Sequence, residues 1–118
     1  MKYLCLVYLD EQRLPELPDE DCVAYDAEIR ASGHCIASEA LESVQTATTV
    51  RVRDGKPLVA DGPFAETKEQ LAGFYLIEAR DLNEAIRIAA NIPPARVGSI
   101  EVRPVRPIRE SVGRLTRE

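Results

Sequence analysis

Residues 73–105 read GFYLIEARDLNEAIRIAANIPPARVGSIEVRPV. The opening GFYLIEA, residues 73–79, is an apolar run of strand length. Asp81 and Glu84 then stand at capping-box spacing, which marks the start of a helix. Leu82, Ala85, Ile86 and Ala89 fall on one face of that helix, and Pro93-Pro94 stops it. In residues 99–105, Ile100 and Val102 alternate with Glu101 and Arg103, so a half-buried strand closes the segment. The stretch predicts one strand–helix–strand unit.

The N-terminal part repeats this layout with unrelated residues. KYLCLVYL, residues 2–9, is a nearly unbroken apolar run and predicts a central strand buried on both faces. DEQRLPELP, residues 10–18, is polar with two prolines and predicts a loop. A helix is predicted from about Pro18 to Ser32. Asp19, Glu20 and Asp21 suit its positive end, and Cys22, Tyr25 and Ile29 share a face. Gly33 suits the left-handed cap. HCIASEAL, residues 34–41, predicts the next strand. Between the halves, TATTVRVR (46–53) alternates, Asp54-Gly55 signals a tight turn, and residues 56–60 form the return arm.

The order is β-α-β, hairpin, β-α-β. Right-handed crossovers place both helices on one face of an antiparallel sheet. The expected fold is therefore α+β, a ferredoxin-like split βαβ arrangement with an inserted β-hairpin. Its second sheet face has no helix to cover it. A second subunit is the natural cover, so a homodimer with face-to-face sheets is expected.

Bulk properties agree with one domain. The chain has 118 residues, 45% hydrophobic and 30% charged, which is globular and not disordered composition. The net charge of −5 argues against a nucleic-acid footprint. No stretch reaches the ~18 apolar residues of a membrane span. The three cysteines, Cys5, Cys22 and Cys35, are odd in number and lack CxxC spacing, so a reduced, cytoplasmic protein is expected. Five arginines and two glutamates lie in residues 103–118. The domain is expected over 1–108, followed by a basic C-terminal tail, 109–118.

Segment 46–79, TATTVRVRDGKPLVADGPFAETKEQLAGFYLIEA, contains Asp61-Gly62-Pro63-Phe64. Together with the opening MKYLCLVY and the ending GSIEVRPV (98–105), it resembles the DGPF subgroup of the YCII-related proteins. The resemblance implies ferredoxin-like dimers whose two sheets form an αβ barrel. Some relatives are small-molecule enzymes, such as a dehydrochlorinase of chlorinated hydroxyquinols. Some DGPF proteins are associated with sigma-factor-like proteins. Enzyme-like relatives carry a His on the first helix, paired with an Asp. Here that helix has no His, so the pair does not carry over.

The 61–72 loop is the first site candidate, since a long loop in so small a domain is usually functional or disordered and these residues are not those of a floppy linker. In one reading it lines a cleft beside the sheet. Asp61 is then the polar or acid/base group, Gly62, Pro63 and Phe64 shape the loop, and Glu66, Lys68 and Tyr8 surround the ligand. In the other, Asp61 only satisfies loop N–H groups while Phe64 plugs the core. His34, the lone histidine, starts a strand at a surface position. A His34–Glu39 pair would need a bulge, because odd spacing separates faces. His34 and Cys35 also point apart, so no metal site is expected. The isolated glycines exclude nucleotide loops. Arg51 and Arg53 share a face with Thr49, either as a solvated edge or as anion ligands inside a barrel.

Two functions fit. One is a domain that binds a small polar organic molecule, with proton-transfer (lyase- or isomerase-like) chemistry and no cofactor. The other is a non-catalytic dimeric interaction or regulatory module, linked by the resemblance to sigma-factor-type regulation.

Overall fold

Lys2–Leu9 forms strand β1, in which Tyr3, Cys5, Val7 and Leu9 are buried and Leu4, Leu6 and Tyr8 stay half-exposed. In the computed structural model, which describes residues 1–108, an unbroken apolar run has thus been split into two faces. The buried set packs under two helices and the other set lies on the open side of the sheet. The expectation of burial on both faces does not hold within one chain, because the helices reach only one side.

The first helix, α1 (Asp19–Ala31), follows Pro18 and carries three acidic residues in its first turn and Arg30 in its last. Gly33 ends it in the left-handed region at φ 83°. Strand β2 (Cys35–Ala40) comes next. Among the described residues β3 (Thr48–Arg53) and β4 (Lys56–Asp61) pair only with each other, through Asp54 at φ 51° and Gly55 at φ 75°. Two successive left-handed residues match the strand twist of a two-residue turn. β5 (Gln70–Glu78), α2 (Leu82–Ala90) and β6 (Ser99–Pro104) complete the second half. Asp81 Oδ1 accepts the Glu84 N–H at 2.9 Å, and Glu84 Oε1 accepts the Arg80 N–H at 2.8 Å.

The four-stranded sheet runs β2-β5-β1-β6 with every neighbouring pair antiparallel. This is a mixed α+β architecture, consistent with a ferredoxin-like fold. Tyr25 and Ile29 of α1 and Ala85 and Ala89 of α2 meet the buried set of β1 and Ile77 in one core. Tyr25 and Tyr75 pack edge to face, their centroids 5.5 Å apart.

Two local expectations change. Residues Glu11–Glu16 form a 3-10 helix capped by Asp10, whose carboxylate accepts the Gln12 N–H at 3.0 Å. β5 begins at Gln70 and not Gly73, because Tyr8 and Leu9 pair with Leu71 and Gln70 past a bulge after Val7. Long-range pairing extends the strand beyond its apolar run. Gly98 lets β6 enter beside β1: a Cβ there would lie 2.2 Å from the Tyr8 carbonyl oxygen. Residues 109–118, with the basic tail, lie outside the described residues.

Candidate functional site

Along α1, Cys22, Asp26 and Arg30 recur every fourth residue and make a stripe beside the buried Tyr25 and Ile29. The core stripe seats the helix, so the second stripe overlooks the gap between α1 and strands β1, β5 and β2. That gap is a cavity of about 380 Å³. Val7, Leu9, Leu17, Ala72 and Pro94 supply apolar walls, and Asp26, Arg30, Ser38 and Tyr75 supply polar groups. A few converging polar groups on an apolar lining is the usual make-up of a small-molecule site.

The Tyr75 hydroxyl donates to Asp26 Oδ1 at 2.6 Å. Burial, and then the bonded Asp26 carboxylate, push the Tyr75 phenol well above its ordinary range. Tyr75 therefore keeps its proton and acts as a donor, which orients the carboxylate. The second oxygen, Oδ2, accepts no hydrogen bond from the described residues. Arg30 Nη2 donates to Ser38 Oγ at 2.9 Å across the gap to β2. Burial, and then Asp26, Asp19 and Asp21, raise the Cys22 thiol, so it is not primed as a nucleophile.

Glu11 and Ser43 border one part of the cavity. Glu11 Oε1 accepts the Ser43 hydroxyl at 2.8 Å and Oε2 accepts the Val44 N–H at 2.7 Å. This carboxylate is occupied in holding the β2–β3 connection against the 11–16 helix. A second hollow of about 420 Å³ lies between α1 and residues 90–96. Its Asp21 and Arg96 are joined by a 2.8 Å salt bridge, which leaves Glu28 as its one unpaired charge among the described residues, whereas the first cavity offers charges of both signs. Among the described residues no His, Cys, Asp or Glu cluster could hold a metal ion. Among the described residues no helix is long and apolar enough to cross a membrane.

The family model of the YCII-related domain matches residues 1–109. The chain belongs to the YCII-related family. It is also similar to an uncharacterised protein of Rhizobium meliloti (strain 1021), 52% identical over 61 residues, 50% of this chain and 49% of that protein. The chain thus spans about half the length of this curated relative.

In this YCII-related chain the sequence-predicted site residues lie apart from the cavity. Asp61 ends β4, exposed, and its carboxylate accepts no hydrogen bond from the described residues. Gly62, at φ 96°, donates its N–H to the Ala47 carbonyl at 2.7 Å and accepts the Thr49 hydroxyl at 2.8 Å. Pro63 is half-buried, while Glu66 and Lys68 are exposed. Phe64 is 80% exposed and plugs no core among the described residues. Tyr8 lies on the open sheet face. None of these seven lines the cavity. His34 Nδ1 is 2.8 Å from the Glu78 carbonyl oxygen, and although β2 shifts register between Cys35 and Ala37, no His34–Glu39 bond forms. Arg51 and Arg53 are exposed on the face shared with Thr49.

Sequence reasoning missed Asp26, Arg30, Ser38 and Tyr75 as a group. A signal existed in α1: polar residues spaced by four, set one position beyond the apolar stripe. Which strand they would face is a tertiary matter.

Proposed function

We propose that this YCII-related domain binds a small organic molecule in the cavity between α1 and the sheet, with Asp26 as its proton-accepting group. The Tyr75–Asp26 hydrogen bond carries the reading. It fixes one carboxylate oxygen by a donor that stays protonated and leaves the other to a ligand. A positioned carboxylate on an apolar wall suits proton-transfer chemistry of the lyase or isomerase kind.

A thermal-shift screen of small metabolites on wild type, Asp26→Asn and Asp61→Ala tests it. A ligand at ~100 times its Kd stabilises by roughly 2.7 kcal/mol. Hits are expected to vanish in Asp26→Asn and persist in Asp61→Ala. The reverse pattern would move the ligand to a cleft beside the β4–β5 connection, where Asp61, Gly62, Pro63, Phe64, Glu66, Lys68 and Tyr8 are the candidates.

A second reading is an interaction module. Leu4, Leu6, Tyr8, Phe74 and Leu76 form a half-exposed apolar face with no helix of the described residues over it, and Phe64 is exposed. These support a homodimer with its sheets face to face, an αβ barrel, in which the β3–β4 hairpin is an insertion. The Asp61-Gly62-Pro63-Phe64 run supports placement in the DGPF branch, and with it a role beside sigma-factor-type regulators.

A further inference from the structure

Asp26 and Arg30 stand four apart on α1, the spacing at which opposite charges usually pair. They do not pair here. Asp26 takes the Tyr75 hydroxyl, Arg30 reaches over to Ser38, and neither joins a salt bridge with any described residue. Two opposite, uncompensated charges on one helix, with the exposed Glu39 carboxylate across from them on β2, thus border one largely apolar cavity. A ligand that brings both complements would satisfy each of them.

We infer that the cavity takes a small zwitterion, an amino carboxylate with an apolar side chain; this rests on the cavity reading above. Arg30 has five donors and spends one on Ser38, so its fork can hold a carboxylate. Asp26 Oδ2 accepts the ammonium N–H. The two side chains are offset by about 6 Å along the helix axis. Charge-assisted hydrogen bonds of roughly 2.8 Å at each end then bracket a molecule whose charges sit one carbon apart. The apolar side chain enters the region walled by Val7, Leu9, Leu17 and Ala72. A bare anion fits less well, since the lining carboxylates of Glu11, Asp26 and Glu39 outnumber the one guanidinium.

Calorimetric titration of the full chain with L-leucine, 4-methylpentanoate and 3-methylbutylamine tests the inference. The last two lack the amino group and the carboxylate respectively. Leucine is expected to bind at least about tenfold more tightly than either, one lost charge-assisted bond being worth about that much. Arg30→Gln should erase its advantage over the amine, and Asp26→Asn its advantage over the carboxylate. Circular dichroism melts establish that the variants fold. Arg30 is exposed, so Arg30→Gln and the two truncated probes decide the matter even where Asp26→Asn does not fold. An amine that binds as tightly as leucine, and depends on Asp26 alone, overturns the zwitterion and leaves the cavity reading standing. Leucine binding unaffected by both substitutions overturns both. Binding of none of the three overturns the inference, and the metabolite screen then judges the cavity by itself.

Discussion

The Tyr75 hydroxyl donates to Asp26 Oδ1 across 2.6 Å and ties β5 to α1 at the wall of the cavity. Its ring also packs edge to face on Tyr25. Tyr75→Phe keeps the ring and removes the donor, leaving a half-buried carboxylate oxygen without its partner. The expected loss is about 1 kcal/mol, or roughly 4 °C in Tm for a domain of this size. An unchanged melting curve would mean that water replaces the hydroxyl at no cost.

Alkaline pH should weaken the fold. Burial lifts the Cys5 thiol from 9.0 to about 11. The folded chain keeps this proton where the unfolded chain releases it, so stability is full below the unfolded value and falls as pH rises towards about 11. Burial raises Tyr25 and Tyr75 as well, which adds a loss of the same sign above ~10. Urea midpoints of wild type and Cys5→Ala at about pH 8 and about pH 10 isolate the thiol. The wild type should lose more over that interval, and equal losses would acquit Cys5.

Glu11 clasps Ser43 and Val44 from more than thirty residues away. Glu11→Ala should cost about 1 kcal/mol, as for a lost helix cap, and raise hydrogen exchange at the Val44 amide. Unaltered exchange at that amide would show that the connection is held by other contacts.

Gly98 admits β6 beside β1 because nothing larger fits against the Tyr8 carbonyl. Gly98→Ala forces backbone apart, with an expected penalty of about 3 kcal/mol, readable as a lower urea midpoint. A penalty below about 0.5 kcal/mol would mean that β6 shifts freely.

The open sheet face offers a test of assembly. Sedimentation of wild type should give twice the chain mass, and Leu6→Glu with Phe74→Glu should return it to the single-chain mass with the fold intact. A wild type that sediments as a single chain at all concentrations ends the homodimer proposal.

Much of the fold was legible because it rests on local chemistry. The capping pair Asp81 and Glu84, the stop at Pro93-Pro94 and the Asp54-Gly55 turn each act within a few residues, and each is where the pattern placed it. The start of β5 was not legible, since Gln70 and Leu71 become strand by pairing with Leu9 and Tyr8. In the candidate site, the spacing of Asp26 and Arg30 is visible in the chain, while Tyr75 and Ser38 come to them only through the sheet.

Alternation, capping and turn residues are properties of neighbours, so the sequence by itself determined the six strands and two α-helices in outline, their order, and the four-residue spacing of Asp26 and Arg30. Which side of β1 the helices cover, and that Asp26 turns to Tyr75 and not to Arg30, only the tertiary structure decided. The reason is physical: burial and hydrogen bonding across 49 residues depend on how the elements pack, and no window along the chain contains both partners.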